Sequence, residues 1–366
     1  MKKIAIIGTA PGQAALYKSA RELGFYTIGF SWEASEELLK MIDKFYQISI
    51  KEKDEIVQKC REEGVCGVVT NGSELTIRIS SYVAEKLNLT GTPYDTILNI
   101  QNKYWVREHT KNIEGLIQIQ HYLYEGIKPQ SFPCIIKPIS GGGKRGVSLS
   151  KDKEDFASAI EYAKLQNQQI MIEEYIEGAE VSVESISYKS QHFVIQITDK
   201  ENSGPPHFVE LSHHQPSQLP EETLQLIRKV VPEILNKVSF TNGATHIELK
   251  INKKGIYLIE INPRGGGDEI SNRLVELSTD YNYIAAMVKV ASNTFETPIV
   301  KSGKYSGIYF LTNHTKDRLP FFLSAKYQKW YVDGAVSSVE LIDSKGNSEK
   351  NGFVIYNSDH KISPNL

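Results

Sequence analysis

The fold is decided by the stretch Ile256-Tyr-Leu-Ile-Glu-Ile-Asn-Pro-Arg-Gly-Gly-Gly267, which follows Ala244-Thr-His-Ile-Glu-Leu-Lys250 along the chain. Glu248 and Glu260 each interrupt an apolar run that is typical of a buried strand. Between the two runs, Asn252-Lys-Lys-Gly255 predicts a hairpin turn. Because a hairpin places facing strands next to each other, we expect the two carboxylates to lie side by side.

Asn262 lies two residues after Glu260, so its side chain is expected on the same face of the strand. Two acids and an amide oxygen suit Mg²⁺ bound together with nucleotide phosphates, because this ion keeps few protein ligands. Arg264 adds a fixed positive charge, and the three glycines that follow it let backbone N–H groups approach an anion. A metal–phosphate site is indicated; the alternative is an exposed strand edge that carries acids for solubility.

The composition is that of an ordinary globular protein with two or three domains: 366 residues, 40% hydrophobic, 23% charged and a net charge of -2. The absence of a basic excess argues against nucleic acid as a partner. The apolar run at Ile4–Ile7 is too short for a signal peptide, and no stretch approaches a membrane span. Cys60, Cys66 and Cys134 have no metal-binding spacing, so free thiols in a reducing cytoplasm are expected.

Over about the first hundred residues, strands alternate with helices and predict an open, doubly wound parallel sheet. The turn Thr9-Ala-Pro-Gly12 invites a dinucleotide interpretation, which we reject. The third glycine is missing, and Gly29-Phe-Ser-Trp32 stands where an acid would end the second strand. Asn71-Gly-Ser-Glu74 follows a later strand, at the sheet edge where a small substrate is expected to bind.

Lys103 and Arg107 lie one turn apart on the same face of a predicted helix. They either belong to a binding site or are two solvent-exposed charges. Lys137 interrupts the strand Phe132-Pro-Cys-Ile-Ile-Lys-Pro138, and a buried ammonium needs a partner. Directly after it, residues 140–147, here called the glycine loop, hold four glycines between two strands. Such a loop can wrap phosphates with backbone N–H groups, helped by Lys144 and Arg145, whereas a mobile hairpin is the alternative.

Three later segments complete the pattern. The strand Ile170–Ile176 leads into a linker, which would offer an adenine ring an apolar slot and backbone hydrogen bonds. Residues 199–220 are expected to form a long polar loop that carries His213. This histidine either contacts a substrate or has no function. From Lys301 onward, short strands are expected at 307–311, 336–342 and 352–356, with a turn at Gly346-Asn347.

Taken together, these motifs resemble the ATP-grasp superfamily, in particular its carboxylate–amine (amino-acid and dipeptide) ligases. The resemblance rests on the order and spacing of Lys103, Ile135-Ile-Lys-Pro138, the glycine loop, Glu173-Glu-Tyr-Ile176 with Glu180, and the two stretches quoted first. It implies an α/β (α+β) protein in three parts. These are a parallel pre-grasp domain at 1–98, an ATP-lid subdomain at 99–175, and an antiparallel grasp subdomain at 176–366 that holds the metal and acyl-phosphate site.

The resemblance also implies the cofactors ATP and Mg²⁺, with two ions that Mn²⁺ can replace. The expected metal ligands are Glu248, Glu260 and Asn262. Glu173 would face the adenine amino group, Glu180 would hold the ribose, and the lysines and the glycine loop would bind phosphates. The full set expected around the nucleotide is Lys103, Lys137, Ser140, Gly141, Gly142, Gly143, Lys144, Gly146, Val147, Glu173, Glu174, Tyr175, Ile176 and Glu180.

The implied reaction activates a carboxylate as an acyl phosphate, which an amine then attacks. Arg264, together with the backbone N–H groups of Gly266 and Gly267, is expected to hold the tetrahedral oxyanion, and Arg145 to assist catalysis from the loop. Segment 208–219 is similar to a loop of dipeptide-forming ligases, so His213, Arg264 and Glu74 are expected to contact an amino-acid substrate.

Four functions compete at this point. The first is a cytoplasmic ligase, favoured as a homodimer, that joins small-molecule carboxylates and amines and binds neither nucleic acid nor membrane. The second is a carboxylase or purine-pathway type of ligase acting on bicarbonate, formate or another non-amino-acid carboxylate. A nucleotide-binding regulator would be expected to lack a metal ligand, and a nicotinamide oxidoreductase lacks its acid.

Overall fold

The N-terminal sheet is built from short apolar strands that alternate with helices. The computed structural model describes residues 1–127, 129, 131–205, 208–301, 303–341 and 349–364. The strands are β1 (Lys3–Ile7), β2 (Tyr26–Ser31), β3 (Lys44–Gln47) and β4 (Val68–Val69), all parallel in the order β3-β2-β1-β4. The helices of this region are α1 (Ala14–Glu22), α2 (Glu36–Leu39), α3 (Lys53–Glu63), α4 (Glu74–Lys86) and α5 (Tyr94–Ile100). The predicted parallel α/β arrangement is confirmed here.

The middle of the chain forms a small antiparallel sheet, which we call the lid sheet. Its elements follow α6 (Lys103–His109) and β5 (Leu116–Ile117), and are β6 (His121–Leu123), β7 (Cys134–Pro138), β8 (Ser148–Ser150), α7 (Lys153–Lys164) and β9 (Ile170–Glu174). The strand order is β6-β9-β7-β8. Asp152 caps α7 by accepting hydrogen bonds from the N–H groups of Glu154 and Asp155. Phe156 and Ile160 of the helix pack on the sheet.

A nine-stranded sheet occupies the C-terminal half. Its strands are β10 (Ala179–Tyr188), β11 (Gln191–Asn202), β12 (Glu210–Gln215), β13 (Gly243–Asn252), β14 (Gly255–Asn262), β15 (Tyr305–Leu311), β16 (Tyr331–Val336) and β17 (Gly352–Ser358), with β5 at one edge. The order is β16-β17-β15-β12-β11-β10-β13-β14-β5. All neighbours are antiparallel except β14 and β5. An antiparallel C-terminal sheet is therefore confirmed, while β5 comes from the segment assigned to the lid.

The helices of the C-terminal half are α8 (Glu221–Lys237), α9 (Val275–Thr279), α10 (Tyr283–Ala291) and α11 (Leu319–Ser324), with a π-helical turn at Ile270–Leu274. On α8, Ile227, Val231 and Ile234 recur at helical spacing, and all three are buried in one cluster with Ile247 of β13. The apolar stripe of this helix thus covers one face of the large sheet.

The N-terminal and C-terminal sheets share a core. Ile4 and Ile6 of β1 belong to the same buried cluster as Ile284 and Met287 of α10 and Ala244 of β13. Helices α1 and α10 also contact each other directly. This shared core fixes the carboxyl edge of the N-terminal sheet against the strands that carry the acidic residues.

The predicted loop at residues 199–220 is wrong in its centre, because Glu210–Gln215 is strand β12 inside the large sheet. His213, His214 and Gln215 are buried. Contacts with distant segments accompany this burial: His213 Nε2 lies 3.4 Å from Asp268, His214 bonds to the Tyr356 hydroxyl and the Gln215 amide donates to Thr198. The polar composition of residues 210–215 therefore suggests a loop, because the partners of these side chains are not visible in the sequence.

The predicted strand at 336–342 is also wrong for its described part. The strand is Tyr331–Val336, and Val336 is its last residue. Its Asp333-Gly334 pair resembles a turn in sequence, but a register irregularity between Tyr331 and Asp333 lets it pair with β17. Ile342 and the predicted Gly346-Asn347 turn lie outside the described residues. Among the described helices, none combines the length and apolar character needed to cross a membrane.

Candidate nucleotide and metal site

The hairpin of β13 and β14 brings Glu248 and Glu260 directly opposite each other. His246 faces Asn262 two pairs further along, and a register irregularity follows Glu248. Gly255 closes the turn with a φ of 144°, a backbone conformation that favours glycine. The sequence prediction that the two carboxylates lie side by side is therefore confirmed.

Each of these carboxylates binds a lysine. The Lys103 ammonium lies 3.0 Å from Glu260 Oε1, and the Lys200 ammonium lies 2.6 Å from Glu248 Oε1. Burial opposes ionisation of Glu248, but Lys200 and His246 hold the pKa of this carboxyl well below its usual range. Burial likewise opposes ionisation of Glu260, and Lys103 lowers its pKa. Both acids are therefore anionic at neutral pH, as a cation site requires.

Glu173 joins two further cations in the interior. Its carboxylate lies 2.6 Å from the Arg107 Nε and 2.6 Å from the Lys137 ammonium. Burial would raise the pKa of Glu173, but these two cations lower it to about 2. Burial and the nearby Arg107 lower the pKa of Lys137 to about 8, although Glu173 opposes this change.

These contacts change two expectations. Arg107 is 2% exposed, so the solvated alternative for Lys103 and Arg107 is wrong; Lys103 is also largely enclosed, with 11% of its side chain exposed. Glu173 was expected to face an adenine amino group, whereas both of its oxygens contact cations here. Its observed partners make it the anchor of Lys137.

The glycine loop covers the lysines. Gly141, Gly143, Lys144 and Gly146 all have positive φ, and the Gly141 carbonyl accepts a hydrogen bond of 2.7 Å from the Lys103 ammonium. The Lys144 ammonium reaches β12, where it binds Glu210 Oε1 at 2.6 Å and the Phe208 carbonyl at 2.9 Å. Arg145 donates from its Nε to the Gly142 carbonyl. The loop therefore folds over the cleft while its basic residues contact protein oxygens.

A cleft of about 1500 Å³ lies between the glycine loop and the hairpin. This volume exceeds that of ordinary small-molecule pockets, so it has room for a nucleotide and further substrates. It brings together most of the residues that sequence analysis selected: Glu74, Lys103, Lys137, Gly141, Gly142, Gly143, Lys144, Arg145, Val147, Glu173, Glu174, Tyr175, Ile176, Glu180, Glu248, Glu260, Asn262 and Arg264.

At the other end of the cleft lies the linker from β9 to β10. The Glu174 N–H donates to the Gln120 carbonyl at 3.0 Å, and the Ile176 carbonyl accepts from the Lys250 ammonium at 3.1 Å. Glu180 accepts from the Asn202 amide at 3.1 Å. Apolar side chains of Ile119 and Ile176 line the cleft here, as a flat ring requires.

The turn after β14 departs from the expected oxyanion site. The Gly265 N–H donates to the Asn71 amide oxygen and the Gly266 N–H donates to Glu184, each at 3.0 Å. The Gly266 donor is thus engaged by a buried carboxylate, which corrects its expected role as a free oxyanion donor. Arg264 keeps its place in the cleft and donates from Nη1 to the Gly265 carbonyl.

His213 is 1% exposed and its Nε2 lies 3.4 Å from Asp268, at the start of the π-helical region. It is absent from the residues that line the large cleft, in contrast to the expected substrate contact. Ser140 also lies outside that lining, where its hydroxyl accepts a hydrogen bond from the Asn167 amide. Gly146 packs near the Gln166 side chain, and Gly267 has open space around its α-carbon.

Sequence analysis missed four buried polar residues of the site: Glu184, Lys200, Glu210 and His246. Lys200 lies 3.4 Å from both Glu180 and Glu210, in addition to its bond to Glu248. Burial opposes its charge, yet these acids raise the pKa of Lys200 well above its usual value. Lys200 is a charged residue within strand β11, just as Glu248 is within β13. The polar residues that follow Lys200 make the end of β11 look like a loop in sequence.

The donor set fits Mg²⁺ that binds together with phosphates. Glu248 and Glu260 face each other across the hairpin and Asn262 adds an amide, all oxygen donors that line the cleft. Among the described residues, no group of three or more His, Cys, Asp and Glu side chains is preassembled for a metal ion. The protein therefore supplies few ligands, as expected when nucleotide oxygens and water complete the coordination.

Comparison with known proteins agrees with this geometry. Residues 130–273 match the family model of the ATP-grasp domain. The D-alanine–D-alanine ligase of Phocaeicola vulgatus is 30% identical over 149 residues, which are 39% of this chain and 46% of the ligase. The carbamoyl phosphate synthase large chain of Clostridium beijerinckii is 24% identical over 291 residues, 72% of this chain and 27% of the synthase.

The matched segments thus span less than half the length of these relatives. Among solved structures, the L-amino acid ligase from Bacillus licheniformis superposes with a TM-score of 0.83 at 23% identity, covering 98% of this chain and 94% of that one. This similarity extends through all three sheets and shows a common fold. Residues 130–273 are thus similar to an ATP-grasp domain, and the chain as a whole shares the fold of the L-amino acid ligase.

Proposed function

We propose that this chain is an ATP-dependent ligase that joins a carboxylate to an amine through an acyl phosphate. The observation that carries the proposal is the cross-strand pair Glu248 and Glu260, which lines the same cleft as Lys103, Lys137 and the glycine loop. Acids for a metal ion and lysines for phosphates, enclosed together, are the requirements of phosphoryl transfer.

Nucleotide binding is assigned to the two ends of the cleft. The linker residues Glu174–Ile176 would contact the adenine ring and Glu180 the ribose, while Lys103 and Lys137 would neutralise phosphate oxygens. Mg²⁺, held by Glu248, Glu260 and Asn262, would supply further positive charge to the transferring phosphoryl group. Lys103 already contacts Glu260 at 3.0 Å, so phosphates that enter here would meet a cation fixed in position.

In the first step, an oxygen of the substrate carboxylate attacks the γ-phosphorus of ATP. The bond from this phosphorus to the β–γ bridging oxygen breaks, which releases ADP and forms the acyl phosphate. The glycine loop excludes water during this interval, because an acyl phosphate is readily hydrolysed.

In the second step, the amine nitrogen attacks the acyl carbon and loses a proton, and inorganic phosphate leaves with the carbon–oxygen bond electrons. Arg264 lines the cleft just beyond Asn262, and its guanidinium would neutralise the oxyanion of the tetrahedral intermediate. The Gly266 N–H is already bonded to Glu184, and we therefore assign the oxyanion contact to Arg264, with the Gly267 N–H beside it.

We propose an amino acid as the carboxylate, and a second amino acid as the amine. The fold similarity to an L-amino acid ligase and the 30% identity to a D-alanine–D-alanine ligase support this substrate class. Glu74, which lines the cleft at the start of α4, is placed to contact the ammonium group of such a substrate.

The test is Mg²⁺-dependent release of ADP and phosphate by the purified protein across amino acids, singly and in pairs, with products identified by mass spectrometry. We expect a product lighter than the sum of its two substrates by one water. ATP binding without release for any amino acid would contradict the substrate class. The same assay with bicarbonate or formate would then test the second type of ligase.

A further inference from the structure

Glu184 on β10 is a fully buried carboxylate that no step above uses. Its Oε1 accepts a hydrogen bond of 2.6 Å from His246 Nδ1 and one of 3.3 Å from the Ser182 hydroxyl. Its Oε2 accepts the Gly266 N–H at 3.0 Å. A buried carboxylate is costly unless it is well bonded, and Glu184 meets this condition with donors from three separate segments.

His246 continues the contact towards the hairpin acids. Its Nε2 lies 3.3 Å from Glu248 Oε1, the oxygen that also binds Lys200. Glu248 is therefore oriented through one of its oxygens by two donors. Such partners behind a metal ligand fix its orientation and tune its affinity.

Gly266 packs against the same pair. A side-chain carbon at this position would lie 2.7 Å from His246 Nδ1 and 3.0 Å from Glu184 Oε1, which is too close for either atom to stay in place. The absence of a side chain at Gly266 thus allows the turn that carries Arg264 to approach the pair.

We infer that Glu184, through His246 and Gly266, is a positioning residue that holds Glu248 and the Arg264 turn in one fixed arrangement. This inference rests on the proposed function, because it takes Glu248 as a metal ligand. One carboxylate then sets the distance between the metal-binding hairpin and the group that neutralises the oxyanion.

The test measures ADP affinity by titration calorimetry, with and without Mg²⁺, for the full chain and for Glu184→Gln and His246→Gln. We expect metal-free ADP affinity to stay unchanged, because neither residue lines the base and ribose end of the cleft. The affinity for ADP with Mg²⁺ should fall by about 10- to 100-fold. A general loss of folding would instead weaken both measurements.

His192→Gln is the matched control. His192 also bonds through both ring nitrogens, to Ser187 at 2.7 Å and to Asn236 at 3.1 Å, but it lies outside the cleft lining. Both ADP affinities should match those of the unaltered protein. The double variant Glu184→Gln, His246→Gln should lose less than the sum of the single losses, since the two side chains act as one unit.

Gly266→Ala separates this role from an oxyanion role. ADP carries no acyl group, so loss of an oxyanion donor would reduce turnover and leave ADP affinity intact. If Gly266 supports the Glu184–His246 pair, the alanine should weaken Mg²⁺-dependent ADP binding as well.

Folded variants Glu184→Gln and His246→Gln that bind ADP with Mg²⁺ within about twofold of the unaltered protein would overturn this inference alone. If Glu184→Gln fails to fold, the comparison of His246→Gln with His192→Gln decides it. An unaltered protein that binds no ADP with Mg²⁺ would overturn the nucleotide site and this inference together.

Discussion

Two carboxylates in this chain each contact two cations at 2.5–2.7 Å, yet these cations differ in burial. Glu63 lies 2.7 Å from Lys3 and 2.5 Å from Lys44, beside the N-terminal sheet. Glu173 lies 2.6 Å from both Arg107 and Lys137, in the cleft. The side chains of Lys3 and Lys44 are 37% and 44% exposed, whereas Arg107 and Lys137 are 2% and 7% exposed.

The cations of the two clusters therefore differ in solvent access although their contact distances are alike. The hydrogen bond to Glu63 raises the pKa of Lys44, which keeps its charge in water. Burial lowers the pKa of Lys137 to about 8, although Glu173 contacts its ammonium group. A bound phosphate would therefore stabilise the charged form of Lys137 further. The lysines of the exposed cluster stay hydrated, whereas the buried cluster keeps two enclosed cations beside the proposed phosphate site.

The largest expected effect is on folding. Glu173→Gln leaves Arg107 and Lys137 buried together without a negative charge, and should lower the free energy of unfolding by about 3–5 kcal/mol. Urea unfolding followed by circular dichroism measures this change. A loss no larger than that of Glu63→Gln would show that the interior cluster is solvated after all.

The next effect is on chemistry. Glu260→Gln removes a charge from the proposed metal site and should reduce Mg²⁺-dependent ADP release at least roughly a hundredfold, with the protein still folded. Stopped assays of ADP release under saturating ATP measure it. An active variant that still depends on Mg²⁺ would refute Glu260 as a metal ligand.

Nucleotide affinity should follow the same division between the clusters. Lys137→Met removes a buried cation that we assign to phosphate binding, and we expect ATP to bind about 10- to 100-fold more weakly by calorimetry. Lys3→Met, the control from the exposed cluster, should leave ATP affinity unchanged. Equal affinities for the two variants would remove Lys137 from the phosphate site.

The pH dependence of ATP binding offers a finer test. Lys137, with a pKa of about 8, is charged below this pH and loses its proton above it, so ATP affinity should fall as pH rises from 7 to 9. The fall cannot exceed about tenfold per pH unit for a single proton. Calorimetry at several pH values should show this slope in the unaltered protein, and a flatter profile in Lys137→Met.

The smallest effect belongs to the exposed cluster itself. Glu63→Gln breaks contacts to lysines that remain hydrated, so the unfolding curve should shift by no more than the scatter between repeat experiments. Added salt should change the unaltered protein and this variant alike. A loss comparable to that of Glu173→Gln would mean that contact geometry outweighs burial.

The sequence predicts those parts of the site in which a single charged residue interrupts an apolar run. Glu248, Glu260 and Lys137 are conspicuous because their neighbours alternate as in a strand, and the hairpin register follows from Gly255. The parallel sheet at the N-terminus is predictable because its apolar strands β1 and β4 belong to a chain in which strands and helices alternate.

Strand β12 and the partners of Glu173 could not be predicted in this way. His213, His214 and Gln215 look like loop residues in sequence, and their partners Asp268, Tyr356 and Thr198 come from other segments of the chain. Glu184 and Lys200 are ordinary strand residues in sequence, and their burial depends on which strands become neighbours. Pairing between distant strands is a property of the whole fold, which local composition does not encode.

The two chain connections that carry the lid sheet lie next to each other. One passes through Gln120 and the other through Glu174, and the backbones are joined where the Glu174 N–H donates to the Gln120 carbonyl. We expect such adjacent tethers to favour rotation of the lid sheet about an axis that passes through them. A purine held by Glu174–Ile176 would sit close to that axis and scarcely move, while the glycine loop at the far end would sweep the widest arc. The phosphates could then be uncovered for an incoming acid without release of the nucleotide.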